Sequence, residues 1–207
     1  MAKRKPPERA NQRYRTRKDL IDAAGRLMKN GHKPSLEEVA EAARVSRATA
    51  YRYFPNVEAL LAEAPVDAGA PDWEALFASD GSTDPEERVD RAEAAMHRMV
   101  YDNETAIRLM LSATLTRAAE EGAGDEAVPY RQNRRTPLIE AALAPARSRF
   151  KKGSYGRLRA ALAVIFGSES MVVFRDVLRL DEKTAREVKS WAVRALVRVA
   201  LEESRAR

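Results

Sequence analysis

The chain has 207 residues and a net charge of +6, with 33% charged residues, 6% aromatic residues and only nine glycines. That length suffices for one or two domains with a real core, and the balance favours an all-helical protein over a strand-rich one. The absence of Cys excludes disulfides and thiolate metal sites. No apolar run reaches membrane-spanning length, and the polar, basic residues 1–17 lack the apolar core of a secretory signal. The expected compartment is the cytoplasm, with no membrane partner. The charge is unevenly placed: residues 1–54 hold 14 Lys and Arg against 6 Asp and Glu, and the rest of the chain holds 23 against 25. A basic first quarter on a near-neutral remainder is the electrostatic footprint of a nucleic-acid-binding head.

In chain order, residues 1–13 lack apolar periodicity and contain Pro6-Pro7, which predicts a basic disordered arm. Lys3, Arg4 and Lys5 either enter a minor groove or give only a generic attraction to phosphate. Thr16 and Asp19 open a helix with Leu20, Ala24, Leu27 and Met28 at helical spacing, and Asn30-Gly31 closes it. Ser35 stands three residues before Glu38, a capping box, and is followed by Leu36, Val39, Ala40 and Ala43 on one face. Ser46 caps a second short helix eleven residues later. Two short helices joined by so tight a turn describe a helix-turn-helix, the second helix being the reader.

Val39-Ala40, Ala43, Val45-Ser46, Tyr51, Tyr53-Phe54 and Leu60 resemble the N-terminal pattern of the tetracycline-repressor (TetR) family of bacterial regulators, over roughly residues 16–61. The remaining two-thirds is similar to that family only in helix number and length. Arg44 stands where the family usually has a turn glycine, and Val57 where it usually has a phosphate-touching lysine. The resemblance implies a homodimeric repressor with a three-helix DNA head and a larger helical domain for ligand binding and dimerisation. It further implies that ligand in the body shifts the fourth helix and lowers operator affinity.

The expected domains are an arm at 1–13, the DNA-binding domain at 14–56 and the ligand-binding and dimerisation domain at 57–207. Asn56 caps a fourth helix with Val57, Leu60, Leu61 and Ala64 inward, ended by Pro65. A loop-rich stretch at 65–84 holds a short helix at 73–78. Asp84 and Pro85 then open a long helix to Asp102, and another runs over 104–120. Residues 121–136 read as a polar connection, and a helix at 137–149 is disturbed by Pro145. The last two helices are expected at 154–180 and, capped by Asp181, at 182–204. The final one carries an unusually wide apolar face. It can serve both its own core and a second subunit, with Trp191, Val193, Leu196, Val197 and Ala200 as the expected dimer interface.

An enzyme reading finds little support. His32 and His97 lie far apart, Gly153 and Gly156 have the wrong spacing for a phosphate loop, and no serine sits in a nucleophile elbow. No metal site or cofactor is expected. The binding reading is stronger. With Ala50 and Phe54 inward, the second helix offers Arg47 for guanine O6/N7, Ala48 and Thr49 for a thymine methyl, and Tyr51 and Tyr53 for phosphates. Ser46 begins that helix, Arg44 approaches the backbone from the turn, and the helix capped by Ser35 offers its N–H groups to another phosphate. The partner is a near-palindromic double-stranded operator. In the body, Met96, Met99, Met110, Phe166 and Met171 form a soft apolar set, either plain core or a ligand site. Glu169, a carboxylate within an apolar helix, is the most informative member, and Arg134 and Arg135 either admit an anionic ligand or line a solvated loop. Two rival readings remain: a TetR-fold DNA-binding protein without an effector, and a helical enzyme or scaffold.

Overall fold

The computed structural model describes residues 8–29, 31–78, 81–121 and 130–205, and among these every regular element is helical. The expectation for Lys3, Arg4 and Lys5 lies outside the described residues. The chain folds as two compact units, residues 1–69 with 103–132, and residues 70–102 with 133–207.

The first unit contains α1 (Glu8–Met28), α2 (Leu36–Ala42), α3 (Arg47–Tyr53), α4 (Val57–Ala68) and α7 (Glu104–Glu121). The arm expected at 1–13 is already helical from Glu8, and α1 runs about three turns before Leu20, its first buried apolar residue. Leu20, Ala24, Leu36, Val39, Ala50, Phe54, Leu60 and Ala64 interlock in one core, as their spacing requires. Gly31 takes a left-handed φ of 71° after α1, the conformation its position demands. Pro65 does not end α4. The helix runs on to Ala68 with Pro65 inside it, and Gly69 is the C-cap.

Arg17 binds this unit together. It is only 3% exposed although arginine is rarely buried. One guanidinium nitrogen lies 2.7 Å from Glu63 of α4 and donates to the Tyr130 carbonyl at 2.8 Å. The group also lies 4.4 Å from the centre of the Phe54 ring. The ion pair therefore explains why α4 and the segment after α7 belong to this unit and not, as the composition suggests, to the body.

The second unit contains α5 (Trp73–Phe77), α6 (Pro85–Asp102), α8 (Arg135–Leu143), a 3₁₀ turn at Ala144–Arg149, α9 (Lys152–Ile165), α10 (Ser168–Val172), a π turn at Val173–Val177, and α11 (Glu182–Arg205). The single helix expected over 154–180 is broken at Phe166-Gly167, where Gly167 is extended at φ −141°. A Cβ there would come within 2.5 Å of the Arg135 guanidinium, which passes through the gap to donate to the Ala163 carbonyl at 3.1 Å and to pair with Glu169. α11 packs on α6 and α9 through Ala185, Val193, Val197, Ala200 and Leu201.

Glu63→Ala leaves the Arg17 charge buried beside one lost partner and should destabilise the first unit by about 3–5 kcal/mol in urea unfolding. The paired replacement Arg17→Met with Glu63→Leu should recover most of that loss.

Candidate nucleic-acid interface

α2 and α3 are fixed at both ends by their own residues. Ser35 Oγ accepts from the Glu38 N–H at 3.2 Å while Glu38 Oε2 accepts from the Ser35 N–H at 2.7 Å, completing the capping box. The Ser35 hydroxyl is thereby committed, and a carboxylate already sits at this helix start. At the other end, the Val45 N–H reaches the Ala40 carbonyl at 3.0 Å and the Arg44 N–H reaches Glu41 at 2.9 Å, a Schellman turn. Such a turn needs a left-handed residue. Arg44 supplies it with φ 56°, so the arginine at this glycine position is strained.

Ser46 caps α3 by accepting from the Thr49 N–H at 3.1 Å, with the Thr49 hydroxyl 2.8 Å away. The sequence periodicity then turns Ala50 and Phe54 inward and leaves Arg47, Ala48, Tyr51 and Arg52 exposed, with Thr49 half-buried. Tyr53 corrects the expectation: it is 2% exposed and belongs to the core, so its hydroxyl does not share the open face of Tyr51. Arg52 takes a place on that face that the sequence reading did not give it.

Two further residues were missed. Glu37 of α2 accepts from Arg47 Nη2 at 2.6 Å and from the Tyr51 hydroxyl at 3.1 Å. Its own backbone N–H, the Tyr51 hydroxyl and the Arg47 charge hold its carboxyl below the usual range. Arg117 of α7 donates to the carbonyls of Tyr53 at 2.6 Å and Arg52 at 2.7 Å. A cation there satisfies the open C-terminal carbonyls of α3 and opposes the negative end of its dipole.

In the second unit the residues expected to line a ligand site are packed side chains: Met96, Met99, Phe166 and Met171 are all buried. Met110 is buried too, in the first unit. Glu169 is satisfied by Arg135 rather than aimed at a cavity. The interface residues divide. Val193, Val197 and Ala200 face the unit's own core, whereas Trp191 is 73% exposed, Leu196 is half-buried, and Val188 and Val199 are exposed.

α6 and α11 also share a charged cluster that the sequence reading left out. Lys189 Nζ lies 2.8 Å from Glu93, both fully buried, and Arg186 and Arg194 both reach Asp90 at 2.6 Å. Burial pushes Lys189 down and Glu93 up, each partly offset by the other's charge. His97 is buried beside them, its Nδ1 3.4 Å from Lys189 Nζ. Burial, then the charges of Lys189 and Arg186, lower its pKa from 6.5 to about 4. His97, Arg98, Lys183 and Arg186 line an open groove of about 460 Å³. Among the described residues no group of acids and histidines is arranged to hold a metal ion, and no helix is long and apolar enough to cross a membrane.

Two short helices set by a capping box and a Schellman turn, with a basic, exposed second helix, define a DNA-binding helix-turn-helix. Residues 20–64 match the model for bacterial regulatory proteins of the tetR family, which supports reading the chain as a DNA-binding transcriptional regulator. No curated protein and no solved structure matches it.

Arg44→Gly should raise the melting temperature slightly, because strain on the order of 1 kcal/mol is relieved while glycine's larger unfolded-state freedom offsets part of it. A lower melting temperature would contradict the strain. For His97, the folded pKa lies below the unfolded one, so the unfolded chain binds the extra proton. Stability should therefore fall as the pH drops from about 6.5 towards about 4. The difference between wild type and His97→Gln in urea unfolding across that range should isolate this contribution.

Proposed function

We propose that the chain is a homodimeric transcriptional repressor acting in the cytoplasm. It reads a near-palindromic operator with α3 and leaves it when a small molecule binds the second unit. The observation that carries the DNA half is the presentation of Arg47, Ala48, Tyr51 and Arg52 on the open face of a capped, basic α3. Arg47 gives a fork for guanine O6/N7, Ala48 and Thr49 an apolar edge for a thymine methyl, and Tyr51 and Arg52 phosphate contacts that set register. Arg44 adds a cation at the turn, where Val57 provides none at the start of α4.

Dimerisation is supported by the exposed side of α11. Val188, Trp191, Ala195 and Val199 recur at three- and four-residue steps outside the monomer core, and Ala160 and Val164 are exposed on α9, which packs on α11. A tryptophan left this open is a typical central anchor of an interface. Two heads then read two half-sites about 34–36 Å apart or a multiple of that spacing.

Effector response is supported by chain continuity. α6 lines the groove beside His97 and is followed after one residue by α7, whose Arg117 holds the end of α3. A ligand that shifts α6 would change the hold on α3, with a coupling of about 1–3 kcal/mol. The packed methionine set favours a second reading, a DNA-binding protein without an effector. A thermal-shift screen of metabolites and drugs, followed by release from bound DNA, separates the two.

In a gel shift on DNA upstream of its own gene, binding should weaken steeply as salt rises. Arg47→Ala should cost about 1–3 kcal/mol and relax preference at one base position. An equal loss on every duplex would instead make Arg47 a phosphate contact. In sedimentation, Trp191→Glu should give folded monomers with little operator binding, whereas Val193→Glu should unfold the second unit itself. A dimer that survives Trp191→Glu would refute the α11 interface.

A further inference from the structure

Arg47 and Tyr51 stand one turn apart on α3, and both donate to the same Glu37 oxygen on α2, at 2.6 and 3.1 Å. The Glu37 side chain is the less exposed of the pair, at 39% against 70% for Arg47, and the two donors converge on it. The link crosses between the two helices and leaves Nε, Nη1 and one N–H of Nη2 of Arg47 for a planar acceptor pair.

A carboxylate near the DNA backbone is repelled by every phosphate, whatever the sequence. It therefore adds nothing to general affinity. What it opposes is the easiest wrong use of Arg47, which is to swing onto the nearest phosphate. An arginine tethered by a carboxylate has less conformational freedom to lose when it meets a base edge, and it gains less from a non-specific complex.

We propose that Glu37 is a specificity-determining positioning residue, which tethers Arg47 and Tyr51 so that Arg47 reads a base instead of settling on phosphate. This rests on the assignment of α3 as the reading helix. Glu37 acts through Arg47 and makes no base contact of its own. Its removal strengthens binding to unrelated DNA and narrows the gap between right and wrong sequences.

The test uses the full-length protein and a duplex enriched from a random library by the wild type, compared by fluorescence anisotropy with a scrambled duplex of equal composition. Glu37→Ala should bind the scrambled duplex more tightly and lower the ratio of the two affinities about tenfold. Its salt dependence on the scrambled duplex should steepen by about one released counterion, as Arg47 takes a phosphate. In an Arg47→Ala background the same substitution should leave the ratio unchanged, since coupled residues are not additive. Glu37→Gln, which keeps the shape of the side chain, replaces the alanine variant if that one melts early. An unchanged ratio in the Glu37 variants, an equal loss on both duplexes, or the same change with Arg47 absent would overturn the tether. Failure of the wild type to enrich any duplex would instead overturn the DNA-reading assignment itself, together with this inference.

Discussion

The buried pair between Arg17 and Glu63 is the constraint on which the first unit depends. Two opposite charges shut away from water are costly to separate, so the segments that carry them must stay together. The same guanidinium lies against Phe54, the residue that ends α3, and reaches the backbone at Tyr130. One side chain thereby fixes α1, the end of α3, α4 and the segment after α7. Arg117 adds a second fastening by holding the last carbonyls of α3 from α7. The helix-turn-helix is consequently not a free three-helix head, since part of its frame comes from residues more than sixty positions downstream.

On that frame, the face proposed to meet DNA is shaped by small local conflicts. Arg44 accepts a left-handed backbone to close the Schellman turn, and Glu37 places a negative charge beside the arginine best suited to read a base. Neither choice maximises stability or affinity. Each makes sense where the requirement is discrimination between sequences, which local strain and opposing charge can sharpen. The second unit shows a comparable conflict, with Lys189, Glu93 and His97 buried between α6 and α11. Their mutual pairing offsets burial only if the two helices keep their register.

Much of the first unit was legible because its signals are local. Ser35 with Glu38, Ser46 and Asn56 are caps whose chemistry acts over three residues, and each caps as expected, as does Asp181 in the second unit. The inward set of Leu20, Ala24, Val39, Ala50 and Phe54 follows from helical spacing alone. The failures are tertiary. Tyr53 looked like a surface tyrosine because its burial depends on α7 and Tyr130, far away in sequence. The break at Gly167 in the helix expected over 154–180 escaped the sequence because the Arg135 guanidinium that fills its gap comes from another helix. A signal for Lys189 was present but passed over: it shares one helical face with Ala185, Val193 and Val197, just as Glu93 shares one with Val89, Met96 and Val100. Opposite charges within two apolar faces are a reason to pair the helices that carry them.

The central claim is that α3, the helix proposed to read DNA, is held in place from α7 and not by the helix-turn-helix alone. Amide hydrogen exchange in the full-length Arg117→Ala chain tests it most directly. The account predicts faster exchange at the last turn of α3 and at Phe54, weaker binding to any duplex the wild type selects, and unchanged protection in α11. Unchanged protection at Ala50–Phe54, with DNA binding intact, would contradict it.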